Sequence, residues 1–362
     1  MPKHDGRSKP ATIREVAALA GVSTATVSRS LRSGAGVEPA TRRKVQEAAR
    51  ELHYRPSGVA RSLKLRATST IGLIVTDIEN PDFPQIVSAV EDSVRARGYT
   101  VLLADGRRDP ERELESLEIL GEREVDGMII ASTALTRRHR EHIRELHCPV
   151  VIINSESTVS DVPAVMSDNI MGGRLAAEHV LDLGHRAVIF VGDDEANFDS
   201  AVQARIEGAR AAVNEHPGAD ALRFRAVTAS GAASAAVEGG IRAAQELVAG
   251  SFDETAVLCR NDLTAIGVMR GLRAAGCRIP DDISVVGYDD IELAAYVDPP
   301  LTTVRQSTDE MARRAVADLF ERLDHGPATA ATDAEGAPGG TTLVPVELVV
   351  RGSSGPAPGQ RA

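Results

Sequence analysis

The sequence contains no tryptophan, four tyrosines and six phenylalanines. Its interior must therefore be built from aliphatic side chains, which a hydrophobic content of 43% can supply. The three cysteines, Cys148, Cys259 and Cys277, have neither pairing nor metal-ligand spacing. That excludes a disulfide framework, and the residues read as small apolar groups in a reducing cytoplasm. No run approaches the ~20 apolar residues of a membrane helix. The start of the chain, MPKHDGRSKPAT, lacks the apolar segment of a secretion signal. A C-terminal leucine heptad, a P-loop and a GxSxG elbow are all missing. The carboxylate pairs Asp193/Asp194 and Asp289/Asp290 are neighbours in sequence and point apart, so neither forms a catalytic couple. His139, His142 and His147 are spaced by three and five, which does not put them on one helical face; a surface helix studded with His and Arg is expected rather than a metal site. The expectation is a non-enzyme with no metal and no cofactor.

Positive charge is also scarce overall, the net charge being −11. The balance is uneven, however. Residues 1–66 carry 14 Lys and Arg against 5 Asp and Glu, whereas the remainder carries 27 against 47. A basic module on an acidic body fits a polyanion-binding head and discourages DNA from lying elsewhere.

That basic segment holds the most informative stretch, TIREVAALAGVSTATVSR at 12–29. Thr12 and Glu15 make a capping box for a first helix, with Val16, Leu19 and Ala20 as its apolar stripe. Gly21 permits a left-handed turn. Ser23 caps a second helix bearing Thr24, Ala25, Thr26, Ser28 and Arg29, and Val22, Val27 and Leu31 hold it to the first. A surface helix so rich in Ser and Thr has poor intrinsic propensity, which points to selection for recognition. This is a helix-turn-helix. A third helix opens at Glu38-Pro39, with Val45, Ala48, Ala49 and Leu52 inward and Arg42, Arg43, Lys44 and Arg50 outward. Pro56 stops it. Ser57 can cap a short helix, GVARSLKL, too short to be stable alone in water. Val59, Ala60 and Leu63 share one face of it.

From Ile71 the texture changes. Apolar runs (IGLIVT, YTVLL, GMIIA, VVIIN, then AVIFV, TAVLC, ISVVGY) alternate with amphipathic helical stretches, in two series. This predicts parallel, doubly wound sheets in two lobes, with ligands beyond the carboxyl ends of the strands. LVPVELVVR reads as a last strand, 326–341 as a mobile loop and the tail as disordered.

TIREVAALAGVSTATVSRSL, VEPATRRKVQEAARELHYRPSGVARSLK and STIGLIV, followed by NDLTAIG, IPDDISVVGYDD and PPLTTVRQ, together closely resemble the lactose-repressor/galactose-repressor (LacI/GalR) family of bacterial transcription factors, over roughly residues 12–351. The resemblance implies an all-α helix-turn-helix head, a hinge helix and an α/β two-lobed core similar to periplasmic binding proteins. It implies a homodimer on palindromic, double-stranded operator DNA. A small-molecule effector, expected to be a carbohydrate, would sit between the lobes, and no membrane is involved. The DNA-binding positions it marks are Thr12, Ser23, Thr24, Ala25, Thr26, Ser28, Arg29 and Tyr54 in the head. In the hinge they are Val59, Ala60, Leu63 and Lys64, with Leu63 as a wedge in the minor groove. The effector positions are Phe83, Ser132, Asp168, Arg205, Asn261, Asp262, Asp289 and Gln306, with Phe198 a weaker candidate. Carboxylates, amides and Arg205 suit vicinal hydroxyls, and an aromatic face suits a sugar ring.

The implied organisation is an N-terminus at 1–11, head 12–56, hinge and linker 57–69, core 70–351 and tail 352–362. Within the core, one lobe takes about 70–168 plus 303–326 and the other about 169–300 plus 341–351. The alternative from a different class is a cytoplasmic solute-binding or sugar-processing protein with an incidental basic head. Within the regulator class, an activator or global regulator also fits.

Overall fold

The computed structural model describes residues 11–32, 36–54, 67–132, 135–155, 162–192, 200–218, 223–228, 237–250, 252–325 and 340–359. The chain divides into two units, residues 1–68 and 69–362. Among the described residues no helix is long and apolar enough to cross a membrane.

The first unit packs helices α1 (Ile13–Ala20), α2 (Thr24–Arg32) and α3 (Pro39–Glu51) around a small core. The capping box forms as read: the Thr12 N–H donates to Glu15 Oε2 at 2.6 Å and the Glu15 N–H to Thr12 Oγ1 at 3.4 Å. Gly21 follows at φ +66°, a region a side chain would oppose. The Thr26 N–H then donates to Ser23 Oγ at 3.1 Å. Val16, Val27 and Val45 are fully buried, with Ala17, Ala48 and Ala49 beside them. Leu19, expected in the apolar stripe, is half-exposed instead. The true stripe is Ile13, Val16, Ala17 and Ala20, at i, i+3, i+4 and i+7, and Leu19 falls off that face.

The second unit contains two six-stranded sheets. The first runs in the order β11-β5-β4-β3-β1-β2: β1 is Thr70–Val75, β2 Thr100–Asp105, β3 Gly127–Ala131, β4 Val150–Ile153, β5 Ala164–Ser167 and β11 Thr341–Val344. The second runs β12-β10-β9-β8-β6-β7: β6 is Ala187–Gly192, β7 Arg223–Thr228, β8 Ala256–Cys259, β9 Ser284–Asp289, β10 Thr302–Arg305 and β12 Glu347–Val349. All pairings are parallel except β10 with β12. The crossover helices are α4 (Asp82–Arg95), α5 (Pro110–Glu122), α6 (Arg137–Glu145), α7 (Asn169–Asp182), α8 (Ser200–Glu215), α9 (Val237–Ala249), α10 (Asp262–Ala274) and α11 (Thr308–His325).

Both faces of each sheet are covered, which is why the strands are uninterrupted apolar runs. In β1, Leu73 and Val75 pack toward α4 and α11, against Ile86, Val90, Met311 and Leu319. Ile74, one residue out of phase, joins Leu114, Leu117 and Leu120 of α5 on the other face. Each such side chain, fully buried, contributes about 1.5–3 kcal/mol.

Four expectations are corrected. The segment from 303 does not begin in the first lobe, because Thr302–Arg305 is a strand of the second sheet and only α11 packs on the first. LVPVELVVR is not one strand either. Thr341–Val344 joins the first sheet beside β5, and Glu347–Val349 joins the second beside β10. Pro345, which has no N–H to continue a ladder, stands where the chain changes sheet.

The tail is ordered as far as 359. Ser353 is fully buried, donates to the Val285 carbonyl at 2.6 Å and accepts the Thr302 N–H at 2.8 Å. The Ala357 N–H reaches the Leu183 carbonyl at 2.9 Å. Small residues let this segment lie flush with the lobe, a feature composition alone reads as disorder.

Finally, His139 is not on the surface. It is fully buried, with Nδ1 accepting the Thr136 N–H at 3.2 Å and Nε2 lying 3.4 Å from Glu113. The loop expectation at 326–339 and residues 1–10, 57–66, 193–194 and 198 lie outside the described residues.

Candidate DNA-reading face and effector cleft

On the head, Thr24, Ala25 and Arg29 are exposed and Ser28 is half-buried. At i, i+1, i+4 and i+5 they share the face of α2 opposite Val27, which points into the core. That face carries two hydroxyls, a methyl and a guanidinium, a set able to meet base edges and phosphate. Thr12, Ser23 and Thr26 are committed first to capping, and Tyr54 packs against the head core with its N–H on the Ala49 carbonyl at 2.8 Å. Arg42, Arg43, Lys44 and Arg50 are exposed on α3. Val59, Ala60, Leu63 and Lys64 lie outside the described residues.

In the second unit, a cleft opens where strands of both sheets end, the place where such sheets hold small molecules. From the first lobe come Asn80, Asp82 and Phe83, beyond β1 and into α4, and Asn154, directly after β4. From the second come Ala201, Val202 and Arg205 on α8, Arg260 and Asn261 after β8, Asp289 ending β9 and Gln306 after β10.

Arg205 is the most constrained of these. Its guanidinium lies 3.5 Å from the centroid of the Tyr288 ring. Its Nε donates to Asn169 Oδ1 at 2.9 Å, and Nη1 lies 4.0 Å from Asp289 Oδ1. Gln306 Nε2 donates to that same carboxylate oxygen at 2.8 Å. The backbone at Asp289 and Asp290 is left-handed, at φ +108° and +57°. Arg305 Nε (2.7 Å) and Arg351 Nη2 (2.6 Å) on Asp290 hold this strained turn in place.

The electrostatics are those of a desolvated site in which acids and bases face one another. Burial pushes the Asp289 carboxyl up to about 6, while Arg205 and Arg260 and the Gln306 hydrogen bond pull it down. Burial and the Asp289 charge hold Asp82 well above the usual carboxylate range, against the pull of Arg205. Burial and the neighbouring Arg108 lower Arg260 to about 10, with Asp289 opposing.

A pH dependence of stability follows for the unliganded protein. A carboxyl raised in the folded state keeps its proton longer there than in the unfolded chain. Its stabilising contribution is complete below about pH 4, the unfolded value, and is lost as pH rises through about 6. Thermal unfolding across pH 4–7 is expected to show a decline in wild type that is smaller in Asp289→Asn, the remainder coming from Asp82 and Asp262, which burial also raises. Parallel profiles for the two proteins would remove Asp289 as its source.

The sequence expectations are therefore only partly gathered into this cleft. Phe83, Arg205, Asn261, Asp289 and Gln306 line it. Asp168 instead caps α7, accepting the Met171 N–H at 2.9 Å. Asp262, fully buried, accepts the Ile291 N–H at 2.9 Å and the Thr303 hydroxyl at 2.5 Å, pinning β10 to the turn after β9. Ser132 donates to Glu113 Oε2 at 2.9 Å. None of these three is among the lining residues. Asn80, Asp82, Asn154 and Arg260 were missed. Asn154 and Arg260 are the first polar residues after an apolar strand, and Asn80 and Asp82 lie a few residues past one, so the rule that ligands sit beyond strand ends points to them.

Comparison with known proteins places these observations among relatives. Residues 12–57 match the family described as bacterial regulatory proteins, lacI family, and residues 177–354 match a periplasmic binding protein-like domain. The HTH-type transcriptional repressor PurR of Mannheimia succiniciproducens is 34% identical over 316 residues, 87% of this chain and 92% of its own length. The ribose operon repressor of Escherichia coli K12 is 35% identical over 86% of this chain and 93% of its own. The lac repressor dimer, solved bound to operator and the anti-inducer ONPF, has a TM-score of 0.80 at 27% identity, covering 96% of this chain and 100% of that one. A LacI family regulator from Enterococcus faecium, solved with bound ribose, has a TM-score of 0.67 at 31% identity over 79% of this chain and 99% of its own.

Proposed function

Since the chain belongs to the lacI family of bacterial regulatory proteins, we propose that it is a ligand-responsive, DNA-binding transcriptional repressor acting as a homodimer in the bacterial cytoplasm, with a sugar or sugar-like effector in the cleft and no catalytic activity. The observation that carries this reading is the pairing of a basic helix-turn-helix head with a desolvated cleft lined by carboxyl, amide and guanidinium groups. The solved relatives support its parts: a dimer on operator for the lac repressor, ribose for the regulator from Enterococcus faecium and cellobiose for CelR.

In this reading Thr24, Ala25, Ser28 and Arg29 meet the major groove of each half-site. Arg42, Arg43, Lys44 and Arg50 add sequence-independent attraction to phosphate. Val59, Ala60, Leu63 and Lys64 form a hinge helix that enters the central minor groove when paired with its copy. The effector biases the separation of the lobes and so whether that hinge pair forms. Release of DNA by the effector is the arrangement expected for a sugar.

The test is duplex selection by the full-length protein, followed by anisotropy titrations at moderate salt. A two-fold symmetric site should be enriched and bound at least about 1,000-fold more tightly than scrambled DNA. Arg29→Ala should cut that preference by 10-fold or more. Equal affinity for every duplex would overturn the repressor reading. Removal of residues 1–66 should abolish DNA binding while ligand binding to the core persists.

A further inference from the structure

Asp82 has no role in the contacts proposed so far, yet its placement is costly. It opens α4 on the first-lobe side of the cleft and is only 4% exposed. Its N–H donates to Asn80 Oδ1 at 3.3 Å, which fixes the turn that presents it. Its Oδ1 is buried and accepts no hydrogen bond among the described residues. Buried acceptors are nearly always satisfied, and one with no partner among the described residues, in a cleft, calls for a partner from outside the chain.

The groups facing it define that partner. Asp82 feels Asp289 and Arg205, both on the second lobe. Asp289 already accepts from Gln306 and lies near Arg205. Two carboxyl groups, Asp82 and Asp289, line the cleft with two guanidiniums, Arg205 and Arg260. The cleft already holds its own acids and bases, and a neutral ligand asks for no further counter-ion in a desolvated space. A neutral ligand offering hydroxyl hydrogens to both carboxyl groups satisfies the open acceptor.

We propose that Asp82 is a specificity-determining residue of the cleft, accepting a hydroxyl of a neutral polyol from the first lobe while Asp289 accepts a second hydroxyl from the other. This rests on the sugar-effector reading above and deepens it. It also gives the ligand a mechanical role. A diol bridging the Asp82 and Asp289 carboxyls ties the two lobes together.

The test uses the full-length protein and paired probes: D-ribose with 2-deoxy-D-ribose, D-glucose with its 2-deoxy and 6-deoxy analogues, and D-galactose with D-fucose. Thermal shift identifies a binding sugar and calorimetry measures its affinity. Wild type should prefer one parent sugar over a deoxy analogue by roughly 100-fold or more, since a site built to bond a hydroxyl rejects its absence strongly. Asp82→Ala should reduce that preference below about 10-fold while leaving the unliganded melting temperature equal or higher, because it removes a buried oxygen that has no partner among the described residues. Asp82→Asn, which keeps an acceptor oxygen, should retain part of the preference. A sugar whose binding falls in Asp289→Asn but whose affinity and deoxy discrimination stay within twofold in both Asp82 variants would overturn this proposal and leave the sugar reading standing. No binding by any sugar of the panel to folded wild type would overturn both.

Discussion

Arg205→Ala is expected to abolish measurable effector binding and to destabilise the core as well. The side chain is stacked on Tyr288, bonded to Asn169 and placed against Asp289. Removing it leaves two buried carboxylates facing one another with one compensating cation fewer. Breaking a buried ion pair by deleting one partner costs about 3–5 kcal/mol, and each lost charged hydrogen bond to a ligand about 1.5–3 kcal/mol. Effector affinity should thus fall by roughly 100-fold or more. Urea denaturation and calorimetry read the two losses separately. Arg205→Lys should recover little, because an ammonium can neither stack its plane on Tyr288 nor fork between partners. Because Arg205 holds the Asp289 carboxyl down, its loss should push that pKa further up and enlarge the stability decline with rising pH. Wild-type affinity in the Arg205→Ala protein would remove Arg205 from the site.

A larger structural effect is expected at the seam of α7 and α8. A Cβ on Gly173 would lie 1.9 Å from the Arg205 carbonyl oxygen, and one on Gly208 would lie 1.9 Å from that of Ile170. Both obstacles are backbone, so no side-chain rotation relieves them. Gly208→Leu should cost about 4 kcal/mol or more, beyond the usual range of overpacking, and prevent the second lobe from folding at ordinary temperatures. Gly173→Ala should separate the helices and shift Arg205, weakening effector binding along with stability. Gly121→Ala on α5 is the control. The added methyl would meet only Leu146 at 3.4 Å, and replacing a helical glycine should there stabilise by about 0.5–1 kcal/mol. Circular dichroism melts of the three variants check the opposite signs.

Legibility differed between the two units for a physical reason. In the head every expected cap was local, with donor and acceptor three residues apart, so Thr12–Glu15 and Ser23–Thr26 formed as read. Leu19 failed because the expected stripe left out Ile13 and Ala17, the residues that with Val16 and Ala20 define the buried face. In the core, the strands announced themselves as apolar runs, and five of the eight expected effector positions line the cleft. Of the other three, Asp168 is taken by a local cap on Met171, whereas Asp262 and Ser132 bond to partners far away in sequence. Asp262 is claimed by Thr303 and Ser132 by Glu113, and nothing in the spacing foretold either claim.

The sequence by itself determined the helix-turn-helix, the alternation of strands and helices, the split of charge and the family, because each is written in short-range pattern. Tertiary structure alone decided which carboxylates face the cleft and which serve as pins. It also decided where Pro345 sends the chain from one sheet to the other, and that the tail closes against the second lobe. Those outcomes depend on which groups meet when distant segments pack and on which of them can still be paired once water has been excluded.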